Sequence, residues 1–166
     1  MTTPTFPLIA LAERCEQAFE PDRELDAAIV AAVTLGVVGI GDEKPDDGWC
    51  NRLYRWEPPR AWADSWLPVP RYTASLAEAV KLIPGGWNWS LDWTQRAPYL
   101  DSSWAAAFAP GSGRNPADTE ASAMTPALAL CAVALRARAA MEAALLKGWA
   151  QRFSAASLCV GLDPYP

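Results

Sequence analysis

Apolar residues recur every three or four positions in some stretches of this chain and every second position in others, and the two periods predict different elements. Residues 8 to 19 set Leu8, Leu11, Ala12, Cys15 and Phe19 on one stripe, with Glu13, Arg14, Glu16 and Gln17 off it. That spacing predicts an amphipathic helix ended by Pro21. Asp22 is placed to cap a second helix, in which Leu25, Ala28, Ile29, Ala32 and Val33 keep the helical spacing to about Thr34. The first turn of this helix carries Arg23, Glu24 and Asp26, and acidic groups there suit the positive end of the helix dipole.

The strongest local pattern lies between Arg71 and Trp93. Ser75 and Glu78 form a capping box, and Leu76, Ala79, Val80 and Ile83 follow at helical spacing. Pro84-Gly85-Gly86 ends that helix. From Trp87 the period becomes two: Trp87, Trp89, Leu91 and Trp93 share one face and Asn88, Ser90 and Asp92 the other, which predicts a strand. After a turn at 94 to 97, a further strand is expected over 98 to 108, with Leu100, Trp104, Ala106 and Phe108 on one side. An earlier strand is expected over 49 to 57, followed by a proline-punctuated extended or edge segment to residue 70. Residues 36 to 48 and 109 to 123, rich in glycine and small polar groups, read as loops. The GVVGIG string lacks the lysine and following helix of a phosphate cradle.

Thr125-Pro126 reads as N-cap and first residue of a long helix whose stripe is Leu128, Cys131, Ala132, Leu135, Ala139 and Glu142. The remaining tail can prolong that helix through Trp149 and Phe153, before Gly161 and Pro164 end it. The order of elements describes one α+β domain over 1 to 166. Its core is expected over about 6 to 143, with a helical extension over 144 to 166. A small antiparallel sheet of about three to four strands would be covered by helices.

Composition narrows the chemistry. At 166 residues the chain can bury roughly two-thirds of its unfolded surface in one core. No apolar run approaches the length of a membrane span, and the first twenty residues lack the basic start and continuous apolar stretch of a signal peptide, so a cytoplasmic location is expected. Histidine is absent, which removes Ser-His-Asp and Cys-His nucleophile systems. The four cysteines, at 15, 50, 131 and 159, form no C-x-x-C pair, and Cys15 and Cys131 fall on apolar stripes, as reduced core cysteines do. Neither a cofactor nor a metal is expected. A net charge of −5 argues against broad capture of nucleic acid and suits a basic partner protein.

RELDAAI at 23 to 29, YTASLAEAVKLIPGGWNWS at 72 to 90 and TPALALCAVALRARAAM at 125 to 141 together resemble the phage ABA sandwich domain, a family of small phage and prophage proteins. The three segments span most of the chain in the family's order. Two departures stand out: Ala77 followed by Glu78 replaces the usual aspartate of S-L-D-A-A, and the tail beyond Lys147 is longer than the family core. The resemblance implies an α/β/α sandwich and a phage setting, without a settled activity. Small accessory phage proteins include counter-defence factors, some of which sequester a host nucleotide signal and some of which bind a defence protein.

Three functional classes follow. The first is a non-catalytic binding protein that holds a nucleotide-like signal. Its candidate ligand residues are Arg23, Arg71, Tyr72, Thr73, Ser75, Trp87, Trp89, Arg136 and Arg138, because arginine forks grip phosphates, aromatic faces stack bases and helix N-termini attract anions. The second is a protein–protein inhibitor or assembly factor, self-association included, with Trp56, Trp62 and Trp66 as the interface aromatics. The third is a metal-dependent hydrolase in which Asp92 and Asp101 meet across the hairpin. The first is the leading expectation.

Overall fold

An alanine-rich helix runs through the middle of the protein, with two helices and one sheet laid against it. The computed structural model describes residues 7–34, 37–41, 53–57, 67–97, 100–111 and 117–158, with side chains over 7–34, 67–92, 102–111 and 117–148. The central helix, α4 (Pro126–Leu158), opens as its sequence dictates. The Thr125 hydroxyl accepts the Leu128 N–H at 3.2 Å, and the Thr125 carbonyl accepts that of Ala129 at 3.0 Å.

Between Ala127 and Leu135 every side chain of α4 is buried, so the helix has no solvent face there. The expected single stripe is therefore too narrow. The cause is the surroundings: α1 (Pro7–Gln17), α3 (Leu76–Val80) and a sheet all pack on α4. Alanine at 127, 129, 132 and 134 keeps the helix slim enough for close approach on several sides at once.

That sheet holds β4 (Asn88–Ala97), β5 (Leu100–Phe108) and β6 (Thr119–Ala123), antiparallel in the order β4-β5-β6. Register sets Trp89 opposite Ala107, Leu91 opposite Ala105, and Ala105 opposite Ala121, so these residues share a face. Ala105, Ala107, Ala121 and Ala123 meet the buried side chains of α4 in the core, with Leu91 packed beside them. The other face carries exposed Asn88, Asp92, Glu120 and Ser122. The expected side of β5, with Trp104, Ala106 and Phe108, belongs to that second face, and Phe108 is exposed.

Strand β6 lies inside the expected 109–123 loop. Its alternation of buried Ala121 and Ala123 with exposed Glu120 and Ser122 is a period-two pattern written in small residues, which carry little hydropathy contrast. Similarly, β1 (Val37–Gly41) is a strand where a loop is expected over 36 to 48, because Val37, Val38 and Ile40 have β-branched side chains suited to pairing. It pairs with β2 (Leu53–Glu57), and β2 pairs with the two-residue β3 (Leu67–Pro68). The strands thus form two separate three-stranded sheets, not one. The second sheet lies against α2 (Arg23–Thr34), which also packs on α1.

Contacts to the β4–β6 sheet come from α4 and α1. A three-layer α/β/α arrangement needs a helix on the sheet's polar face as well, and none of the described helices takes that place. Helix α1 stops at Gln17, so Phe19 leaves the expected stripe and is 79% exposed. Helix α3 is short; its cap is the expected Ser75, whose hydroxyl accepts the Glu78 N–H at 3.4 Å. Three-residue bonds such as Leu82 N–H to the Ala79 carbonyl then tighten the chain toward Gly86, whose φ of 81° permits the reversal into β4. Full burial along α4 ends near Ala139, and the helix continues without a break to Leu158.

Candidate functional site

The residues expected to bind a nucleotide fall into separate places. Around the start of α2, the Asp26 carboxylate is fully buried. One of its oxygens accepts the Thr73 N–H at 2.7 Å and the other accepts Arg23 Nη1 at 2.7 Å. The Arg23 guanidinium also donates to the carbonyls of Val69 at 2.8 Å and Pro70 at 3.2 Å. Thr73 Oγ1 accepts the Asp22 N–H at 3.0 Å and donates to the Asp22 carbonyl at 3.2 Å. This network fastens the 69–73 segment to the α2 N-terminus. Arg23 and Thr73 serve as internal fasteners, and only Arg71 of this group is exposed.

Tyr72 points the other way, into the core beside α4. Its carbonyl accepts the Cys131 thiol at 3.3 Å. Burial pushes its phenol above the ordinary value and nearby Glu78 adds to the shift, while Arg138 opposes both. Arg138 in turn donates Nε to the Leu82 carbonyl at 2.6 Å, and burial lowers its own pKa. The bond closes the C-terminal end of α3, where backbone carbonyls have no helical partner.

Arg136 lies elsewhere on α4. Its guanidinium grips the Glu16 carboxylate with two nitrogens, at 3.0 and 2.6 Å, and donates to the Glu120 carbonyl at 2.6 Å, so it ties α1, α4 and β6 together. Trp87 packs against the core, whereas Trp89, near the start of edge strand β4, is 40% exposed. Ser75 is spent on its cap. Of the nine residues, the structure brings Arg23 to Thr73 and Tyr72 to Arg138, and it leaves Arg136 apart.

An open depression of about 390 Å³ on the described surface is lined by Ala18, Phe19, Glu20, Pro21, Asp22 and Arg23. Two carboxylates on its rim make it a poor host for a phosphate. The metal reading fails on register: Asp92 pairs with Trp104 and Asp101 with Gln95, which puts the two aspartates on opposite faces of the hairpin. Among the described residues no group of three or more acidic or cysteine side chains converges on one point. Trp56 lies in β2, paired with Val38 and Leu67, while Trp62 and Trp66 lie outside the described residues.

The buried Asp26 is the polar residue that first-turn reasoning undervalues. Its signal was available in the spacing, three residues before Ile29 and four before Val30, which places it on the apolar stripe of α2. A carboxylate in that position must find partners inside the protein.

The fold and its internal polar ties define a small mixed helix-and-strand protein with an antiparallel sheet under helices, and no helix among the described residues is long and apolar enough to cross a membrane. Comparisons with protein-family models, with curated proteins and with solved structures each return no match for this chain.

Proposed function

We propose that this protein acts by binding another protein and carries out no chemistry of its own. One observation carries the reading: Leu145 and Leu146 on the continuing part of α4 are 58% and 60% exposed, with Met141 beside them also in solvent. Adjacent apolar side chains held outside a packed body mark interaction surfaces. The nucleotide reading loses its support because Arg23, Arg136 and Arg138 are committed to carboxylates and carbonyls inside the fold. The resemblance to small phage proteins suggests the setting, a host defence complex or a phage assembly in the host cytoplasm.

Affinity capture with the tagged chain tests this. The wild-type protein retains a partner and the Leu145→Glu/Leu146→Glu variant loses it. Saturable calorimetric heat with cyclic dinucleotides or ADP-ribose derivatives, together with capture unchanged in that variant, would overturn the reading in favour of nucleotide sequestration.

A further inference from the structure

Past Ala139 full burial ends, Met141, Glu142 and residues 144 to 147 are exposed, and α4 continues as helix from Met141 to Leu158 over roughly 27 Å at about 1.5 Å per residue. A helix segment that holds Leu145 and Leu146 in solvent gains little there from its own packing and is stabilised when a second helix covers its apolar side. Along this backbone the sequence spaces Glu142, Leu145, Trp149, Arg152 and Ala156 alternately three and four residues apart, the period of a two-helix seam.

The charges on the seam identify the second helix. Glu142 and Arg152 have opposite signs and stand equally far from residue 147, while Lys147 falls off the seam. A twofold axis through residue 147 would set antiparallel copies so that Leu145 lies level with Trp149 of the second copy. The same operation sets Glu142 level with Arg152 of the second copy, twice per pair. Parallel pairing would instead oppose Glu142 to Glu142 and Arg152 to Arg152, like against like.

We propose that two copies of this chain associate antiparallel through the second half of α4, centred on residue 147, an inference that rests on the protein-binding reading and names the partner at that surface. Sedimentation velocity across the micromolar range tests it on the full chain. The wild type is expected to dimerise. Glu142→Arg and Arg152→Glu should each weaken the dimer roughly tenfold or more, and the double reversal Glu142→Arg/Arg152→Glu, which restores opposite charges across the axis, should recover most of the loss. Circular dichroism checks that each variant keeps its fold.

A wild type that stays monomeric, single reversals that leave the dimer unchanged, or a double reversal no better than its parents would each overturn the inference. A monomer whose capture of another protein disappears in Leu145→Glu/Leu146→Glu would sink the self-pairing and leave the broader reading standing. A dimer that passes the reversal test while capturing nothing else supports the inference and narrows the broader reading to self-assembly.

Discussion

Between Ala127 and Ala139, α4 is hemmed in by α1, α3, β5 and β6, whereas from Met141 the same helix holds Leu145 and Leu146 in solvent. The leucines of the two halves differ in what surrounds them, not in what they are. Arg136 and Arg138 stand at the boundary, one gripping Glu16 and the Glu120 carbonyl, the other the Leu82 carbonyl. They fasten the last well-covered turns to their neighbours, and from Met141 to Lys147 most side chains of α4 are exposed. The difference teaches that cover by neighbouring elements, more than leucine itself, decides what each half contributes to stability, and the proposed binding surface lies on the second half.

The largest effect that separates the halves comes from trimming leucines. Leu130→Ala should cost about 3 kcal/mol in urea unfolding, since a fully buried leucine leaves a cavity that close-packed neighbours cannot fill. A cost near zero would mean that the first half of α4 is not a core.

Alkali should discriminate next. The Cys131 thiol, in the first half, is held protonated by its hydrogen bond with Cys15 and by burial, well above its ordinary value of 9.0. Tyr72, against the same helix, is raised above 10.0 chiefly by burial. Both groups ionise freely when the chain unfolds and resist doing so when folded. Their stabilisation is therefore complete below pH 9 and is lost progressively as pH rises beyond 9 and then 10. Urea midpoints should fall across that range, and Cys131→Ala with Tyr72→Phe should flatten the fall. A wild-type midpoint that stays level to pH 11 would contradict the burial of both groups.

At the boundary, Arg136→Met should cost about 1 kcal/mol, because the Glu16 pair is partly screened by water and its aliphatic stem is kept. A double-mutant cycle with Glu16→Gln should recover a coupling of that size. The smallest effect is Leu145→Ala, less than about 0.5 kcal/mol in solution too dilute for association. If Leu145→Ala destabilised the isolated chain as much as Leu130→Ala, the two halves would not differ in kind.

Much of this architecture was legible in the residues. The caps at Asp22, Ser75 and Thr125, the stop at Gly86 and the pairing of β4 with β5 follow from local rules, because each is decided by a few neighbouring residues, although residues 94 to 97, expected as the turn, are strand in β4. Strands β1 and β6 were not legible, since a glycine-rich run and the small residues of Thr119–Ala123 have too little contrast between faces. The split into two sheets was hidden for another reason: strand partners are chosen across the whole fold. The candidate site fared worst. Arg23, Thr73, Arg136 and Arg138 have the composition of an anion site, and only the third dimension reveals that backbone carbonyls and the carboxylates of Asp26 and Glu16 already occupy them.

The pairing of α1 with α4 joins segments far apart in the chain, and Glu16 meets Arg136 across a separation of 120 residues. During synthesis, the side of α1 that faces α4 must therefore wait uncovered until α4 has emerged from the ribosome. A nascent chain in that condition is an open invitation to chaperones, and a truncation before α4 should yield an insoluble product in place of a smaller folded one.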